Sequence, residues 1–99
     1  MAKYILSNKA VEDLSSIWNY TYDVWSEKQA DKYYNLLLDS CQDLAAAKIA
    51  GKHFPEIDRD IFGFRILQHI IFYRLIKNDN LEIVRILHSR MDLKNRITE

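Results

Sequence analysis

The stretch HIIFYRLIKNDNLEIVRILHSRMD, residues 69–92, decides the fold. Its first part, His69 to Ile76, is nearly continuously apolar, which predicts a central strand covered on both faces. Asn78-Asp79-Asn80 has the residue types of a tight turn between two strands. Residues Leu81 to Leu87 are again apolar on both faces and predict the last strand. We therefore expect two neighbouring strands at the centre of a sheet.

Shorter patterns on either side predict two more strands. Residues 62–67 alternate in the manner of a strand, with Phe62, Phe64 and Ile66 on one face. Residues 3–7 predict a short first strand, and residues 52–60, which contain Phe54-Pro55, predict a loop. Residues 91–98 are expected to form a short helix or an irregular tail.

Two amphipathic helices are predicted between the first two strands. Ser7 or Asn8 caps the first helix, and Ser26 opens the second with Gln29 at capping-box spacing. Gly51 is the predicted stop of the second helix. Because the connection between them is so short, the helices should form an antiparallel hairpin. The apolar stripes are Ala10, Val11, Leu14, Ile17, Trp18, Tyr22 and Trp25 in the first helix, and Ala30, Tyr33, Tyr34, Leu37, Leu38, Cys41, Leu44 and Ala45 in the second.

The predicted order is βααβββ, an α+β fold in which the helical hairpin covers one face of an antiparallel sheet. The 99 residues fit a single domain spanning residues 1–99. Hydrophobic residues make up 48% of the chain, and it contains only two glycines and one proline, so a packed core is expected rather than disorder. The strand residues Arg65, Arg74 and Arg85 must emerge away from the helices.

The charges cancel overall but are unevenly distributed. Fourteen Lys/Arg balance fourteen Asp/Glu, which argues weakly against broad nucleic-acid binding, and no sequence-specific nucleic-acid binding is expected. Residues 1–47 hold four basic and seven acidic residues, whereas residues 48–99 hold ten basic and seven acidic residues. The C-terminal half is therefore the better candidate surface for an anionic partner.

Several classes of protein and site are disfavoured. The single cysteine, Cys41, allows no internal disulfide, and neither a signal peptide nor a membrane-length apolar run is visible, so we expect a cytoplasmic protein. Cys41 lies on the inner stripe of the second helix and is interpreted as a small buried hydrophobe. His53, His69 and His88 lack metal-ligand spacing. No phosphate-binding loop or serine nucleophile motif occurs, and no metal or cofactor is expected.

Contact residues are suggested by position. Arg65, Arg85 and Arg90 are predicted to form a basic patch on the exposed sheet face, the alternative being a solvated face with surface ion pairs. His88 ends the last strand, where side chains often serve function, the alternative being that it only fixes the tail by hydrogen bonding. Tyr20 and Leu36 lie off the apolar stripes and are candidates for a partner-binding surface.

The spacing of charged residues in the C-terminal strands carries a resemblance to a known family. His69-Ile70-Ile71-Phe72-Tyr73-Arg74 resembles the central hIIFYRv strand of ParE-type toxins, a branch of the RelE/ParE superfamily. The next strand and its end resemble the family's IvRILHxRmD pattern through Arg85, His88, Arg90 and Asp92. Looser similarities upstream are Leu6-Ser7, residues 10–14, Ile17-Trp18, Gly51, Pro55-Glu56 and Phe64-Arg65-Ile66.

This resemblance implies two helices packed on an antiparallel sheet and a toxin of a type II toxin–antitoxin system. It further implies a cognate ParD-like, DNA-binding antitoxin as partner and inhibition of DNA gyrase, without catalysis, as the cause of growth arrest. Arg65, Arg85, His88 and Arg90 then become the candidate target-binding residues, and Tyr20 and Leu36 the candidate antitoxin contacts.

Two alternatives stay open at this point. One is ribosome-dependent mRNA cleavage of the RelE type, with Lys52, Arg65 and Arg85 supplying charge and His88 carrying a proton. The absence of a tyrosine after Tyr73 and the zero net charge disfavour it. The other is a binding module that keeps the fold without toxicity.

Overall fold

A five-stranded sheet with a helical hairpin on one face organises residues 3–91 and 93–97, the part of the chain that this computed structural model describes. The strand order is β1-β5-β4-β3-β2, so the stretch that decides the fold supplies the two strands at its centre. The elements in chain order are β1 Tyr4–Leu6, α1 Asn8–Val24, α2 Glu27–Ala45, β2 Lys52–His53, β3 Phe62–Ile66, β4 His69–Leu75, β5 Leu81–His88 and α3 Leu93–Ile97.

The predicted α+β architecture is confirmed, but the sheet is mixed rather than wholly antiparallel. Strands β2 to β5 pair antiparallel through successive hairpins, whereas β1 runs parallel to β5, with Tyr4 opposite Leu81 and Leu6 opposite Ile83. A parallel pair needs a long crossover, and here the helices and three strands between β1 and β5 supply it. The βααβββ order gains the two-residue edge strand β2 and the short helix α3.

Ser7 is the N-cap residue of helix α1, and its side chain makes two hydrogen bonds. Its Oγ accepts a hydrogen bond from the Ala10 N–H at 3.0 Å and donates to the Val84 carbonyl at 2.7 Å, which ties the helix start to β5. Ala10, Leu14 and Ile17 are buried as predicted. The predicted inward placement of Val11, Tyr22 and Trp25 is wrong: all three are exposed, because the sheet covers only the narrower stripe.

Helix α2 opens as predicted, with the Gln29 N–H donating to Ser26 Oγ at 3.1 Å. The predicted stop at Gly51 is wrong, since the helix ends at Ala45 and the chain turns through Ala47 at a positive φ of 59°. Gly51 instead permits close approach of two backbones. A Cβ there would lie 2.5 Å from the Gly63 carbonyl oxygen.

Three segments that connect or follow the main elements also adopt defined conformations. The segment predicted as a loop starts with the edge strand β2, which pairs Lys52 with Gly63 and His53 with Phe62. The turn between β4 and β5 uses Asn78 and Asp79 at φ of 62° and 60°, conformations that Asn and Asp tolerate. The tail forms the short helix α3, one of the two predicted alternatives.

The sheet separates two apolar clusters, because successive side chains of β4 point to opposite faces. The helix-side core lies between the sheet and α1–α2, and the smaller loop-side core lies beneath residues 54–61 and α3. Buried members of the helix-side core are Ala10, Leu14, Ile17, Leu37, Cys41, Leu44, Ala45, Ile71, Tyr73, Leu81, Ile83 and Ile86; those of the loop-side core are Ile61, Ile70, Phe72 and Leu87.

Candidate functional site

An open groove lies between the tip of the helical hairpin and the end of the sheet where β3 turns into β4. We call it the hairpin groove. It consists of two adjoining recesses of about 460 and 470 Å³ that share Tyr20, His69 and His88. Its lining residues are Ser16, Ile17, Tyr20, Thr21, Trp25, Gln29, Tyr33, Leu67, Gln68, His69, His88, Arg90 and Met91. No acidic residue lines either recess.

The polar centre of the hairpin groove is a row of three side chains. His69 and His88 are directly opposed on β4 and β5, with their rings 5.3 Å apart in an edge-to-face arrangement. Tyr33 of α2 lies on the far side of His69, and its hydroxyl is hydrogen-bonded to Nδ1 of that ring at 2.7 Å. The Arg90 N–H donates to Nδ1 of His88 at 3.1 Å. These bonds fix both imidazoles against the sheet end.

The environment keeps His69 uncharged at neutral pH. Burial first and the neighbouring His88 second lower the pKa of this imidazole, Asp13 opposes them, and the pKa is about 4 as a result. Burial also raises the pKa of the Tyr33 hydroxyl. The Tyr33–His69 pair therefore acts as a neutral hydrogen-bonded unit at physiological pH and places no charge in the groove.

Large apolar side chains surround this polar centre and remain accessible. Trp25 is 73% exposed, Tyr20 is 67% exposed and Leu67 is 64% exposed. Leu67 also adopts a positive φ of 51° in the two-residue turn between β3 and β4, a conformation that is unfavourable for a branched side chain. Exposed aromatic and strained apolar residues around one concave surface are typical of a protein-binding site.

Arg85 does not emerge on an open face, contrary to the sequence prediction. It is only 8% exposed, and its Nε and Nη2 donate to the two carboxylate oxygens of Asp13 at 2.8 and 2.9 Å. Asp13 also accepts from the Ile86 N–H at 3.0 Å, and Arg85 Nη1 donates to the Arg96 carbonyl at 2.6 Å. The guanidinium thus links α1, β5 and α3, since a buried charge is tolerated only when it is paired and its N–H donors are hydrogen-bonded.

The three arginines predicted as one basic patch occupy three different environments. Arg90 is exposed and lines the hairpin groove. Arg65 is exposed on β3, donates from Nε to the Leu67 carbonyl at 3.1 Å, and lines a separate recess together with Lys52. Arg85 is buried against Asp13. Arg74, which was not part of the predicted patch, forms a surface ion pair with Glu82 at 2.6 Å. His88 and Arg90 are therefore the predicted target residues that the fold brings together.

The two predicted antitoxin contacts are both exposed but lie apart. Tyr20 lines the hairpin groove beside His88 and Arg90, whereas Leu36, 39% exposed on α2, is not part of its lining. Asp92, the last residue of the sequence signature, lies outside the described residues.

Sequence reasoning missed four groove residues: Trp25 and Tyr33 were assigned to the buried stripes, His69 was given no role, and Leu67 was treated as the end of a strand. A signal for Leu67 existed, since residues 67–68 separate two strands by the length of a tight hairpin turn and lack the usual Gly or Asn. The placement of Tyr33 against His69, 36 positions away, depends on tertiary packing.

Metal binding and thiol chemistry are both disfavoured in the described part of the chain. No group of three or more metal-binding side chains lies together in residues 3–91 and 93–97. The prediction that Cys41 is a buried hydrophobe is confirmed, and burial raises the pKa of its thiol to about 12, so the thiolate is scarce at neutral pH. None of the described helices is both long and apolar enough to cross a membrane.

Comparison with known proteins agrees with this geometry. The profile of the "ParE toxin of type II toxin-antitoxin system, parDE" matches residues 4–93. The chain belongs to the ParE toxin family. It is 34% identical over 99 residues to Toxin ParE1 of Mycobacterium tuberculosis, an alignment that covers 97% of this chain and 98% of the relative. Toxin ParE of Escherichia coli is 31% identical, with 100% and 96% covered.

The fold is also shared with a solved structure. A chain of the chromosomal ParDE toxin–antitoxin system from P. aeruginosa superposes with a TM-score of 0.73 at 20% identity, covering 89% of this chain and 95% of the other. The ParE-family chain is accordingly a toxin component of a type II toxin–antitoxin system, and a cognate antitoxin is its partner.

Proposed function

We propose that this ParE-family toxin arrests growth in the cytoplasm by binding DNA gyrase through the hairpin groove, as a stoichiometric inhibitor rather than a catalyst. The observation that carries the proposal is the composition of the groove. It combines accessible aromatic side chains with one cation, Arg90, and a neutral histidine–tyrosine pair. Such a surface suits recognition of a folded protein better than chemistry on a phosphate.

The state of Arg85 supports a mechanism without catalysis. A nuclease site would require Lys52, Arg65, Arg85 and His88 to converge on one scissile phosphate. Here Arg85 is held by Asp13, and Lys52 and Arg65 line a recess that shares no residue with the hairpin groove around His88. The charge cluster that would stabilise a cleavage transition state is therefore divided between separate places.

We propose further that the antitoxin, ParD-like by family, neutralises the toxin by occupying the same groove. Tyr20, the predicted antitoxin contact, lies beside His88 and Arg90, the predicted target contacts. One bound segment covering Tyr20 would exclude any other protein from His88 and Arg90. Leu36 is exposed away from the groove, so an antitoxin that also reaches Leu36 must extend along α2.

The experiment uses purified toxin variants in a gyrase supercoiling assay. We expect His88→Ala and Arg90→Ala together to weaken inhibition by at least about tenfold, because hot-spot side chains at an interface centre contribute about 2 kcal/mol or more. Lys32→Ala, an exposed substitution on α2, is the matched control and should inhibit like the parent toxin. In the same assay, a higher antitoxin concentration should be needed to relieve inhibition by the Tyr20→Ala toxin. A similar increase for Leu36→Ala would indicate that the antitoxin extends along α2.

Two results would contradict the proposal. Full inhibition by a folded double variant of His88 and Arg90 would remove the groove from the mechanism. Ribosome-dependent cleavage of mRNA by the parent toxin, with supercoiling unaffected, would replace gyrase with the RelE-type target.

A further inference from the structure

A second recess lies on the β2–β3 side of the sheet and shares no lining residue with the hairpin groove. It has a volume of about 340 Å³. Two cations, Lys52 and Arg65, line it, and no acidic residue does. The complete lining is Ala50, Gly51, Lys52, Phe54, Gly63, Phe64, Arg65 and Ile70. We call it the cationic recess.

Strand pairing places the two cations on the same face of the sheet. Lys52 is opposite Gly63, and Arg65 follows Gly63 by two residues on β3. Strand spacing and rise separate their Cα atoms by about 8 Å. Gly63 between them has no side chain, and a Cβ there would lie 2.8 Å from the Phe54 ring. The glycine thus lets the Phe54 ring pack directly against β3, and this ring forms part of the recess beside the two cations.

Neither cation is neutralised within residues 3–91 and 93–97. The ion pairs formed there are Arg74–Glu82 and Arg85–Asp13. Lys52 Nζ lies 5.2 Å from the centre of the Phe54 ring, and Arg65 uses only Nε, which donates to the Leu67 carbonyl. This bond orients the guanidinium and leaves Nη1 and Nη2 available for a ligand. Two like charges over one recess favour an anion between them.

We propose that the cationic recess binds a backbone phosphate of single-stranded nucleic acid, without base specificity. An arginine donates paired hydrogen bonds to phosphate oxygens, and a lysine adds a mobile point charge. Phe54, which lies on the same face of the sheet as the two cations, offers ring surface for the flanking sugar or base. The lining contains no side-chain amide, hydroxyl or carboxylate, so once Lys52 and Arg65 contact the phosphate, no side chain is left there to read a base edge. A recess of this size admits one phosphate and its neighbour from a flexible strand, not a rigid duplex.

This inference goes beyond gyrase inhibition and does not rest on it. The zero net charge of the chain is compatible with it, because the relevant charge is local. Because only one phosphate contacts the two cations, the interaction is weak, weakens modestly as salt is added and is independent of His88.

The test is fluorescence anisotropy of a labelled oligothymidylate, about 12 nucleotides long, with full-length toxin at low salt. Lys52→Ala and Arg65→Ala should each weaken binding by about tenfold, as expected for loss of a charged hydrogen bond. Lys32→Ala is the matched control, since it removes one exposed positive charge from the helical layer. An uncharged methylphosphonate oligothymidylate should bind neither the parent toxin nor the variants.

The two glycines of the chain, Gly51 and Gly63, both line the recess, and glycine amide signals are well separated in nitrogen–proton correlation spectra. We expect these two signals to shift on titration with the oligothymidylate and to stay in place for the Lys52→Ala/Arg65→Ala double variant. Absence of binding by the parent toxin, or an equal loss in Lys32→Ala, would overturn the proposal. Displacement of these signals by an acidic peptide but not by the oligonucleotide would also overturn it, in favour of a protein ligand.

Discussion

The two faces of the sheet differ in what covers them and in what they carry. The helix-side core is closed by two long helices and joins side chains from α1, α2 and the central strands. The loop-side core has four buried members and is closed by residues 54–61 and the five-residue helix α3. Most charged strand residues are at the surface, namely Lys52, Arg65, Arg74 and its partner Glu82, whereas Arg85 is buried between α1 and α3.

This difference indicates that, in a chain of 99 residues, one face of the sheet provides most of the stability and leaves the other face available for recognition. The helical layer supplies most of the apolar burial, so the opposite face can hold polar groups. Those groups are stable only where they are paired or hydrated. Arg85 is paired by Asp13, while Arg65 and Arg90 extend into solvent and remain available to partners. The predictions below test this division.

The largest effect is expected at the buried ion pair. Arg85→Ala leaves the Asp13 carboxylate without its guanidinium partner and frees the Arg96 carbonyl, so the free energy of unfolding should fall by about 3–5 kcal/mol. Urea denaturation measures it. Arg74→Ala, which breaks the surface pair with Glu82, is the control and should cost no more than about 1 kcal/mol. Equal effects of the two substitutions would mean that burial does not distinguish these arginines.

The next prediction compares one leucine truncation in each of the two apolar cores. Leu37→Ala in the helix-side core and Leu87→Ala in the loop-side core should each lower the free energy of unfolding by about 2–5 kcal/mol. We expect Leu37→Ala to cost more, because the helices on either side restrict collapse of the cavity, whereas α3 and the loop can relax into it. A larger loss for Leu87→Ala would reverse the proposed division of stability between the two faces.

The smallest effect is a pH dependence at the end of the sheet. The pKa of His69 is about 4 in the folded chain and about 6.5 in a model peptide, so the unfolded state binds a proton more readily between these values. Stability contributed by this group is therefore present above pH 6.5 and is lost as pH falls toward 4. The loss is at most about 1.4 kcal/mol per pH unit.

The measurement is urea denaturation of the parent toxin and of His69→Gln between pH 7 and pH 4. Tyr33, His88 and Asp13, the groups that face His69, are present in both proteins, so the comparison isolates the effect of the imidazole. The parent should lose stability more steeply than the variant. Identical slopes would show that His69 is not held neutral by its surroundings.

Sequence by itself determined the features that depend on local pattern. Apolar runs and alternation identified β3, β4 and β5, and helical spacing and two serine caps identified α1 and α2. Turn-forming residues placed the connection between β4 and β5 at residues 78–80. The spacing of charged residues in residues 69–93 identified the family. These features depend on residues that lie close together in the chain, and for such residues the periodicity of the sequence reflects the local geometry directly.

Only the tertiary structure decided which distant side chains meet. Arg85 was expected at the surface, yet Asp13, 72 positions away, holds it in a buried ion pair, because the fold brings distant elements together and here packs α1 against β5. Tyr20 joins His88 and Arg90 in one groove, and Lys52 joins Arg65 in another, for the same reason. Periodicity gives the face on which a side chain lies, but not the residue that it contacts there. Whether a charged side chain stabilises the fold or remains available to a partner depends on its ion pairing, which the composition of the sequence does not show.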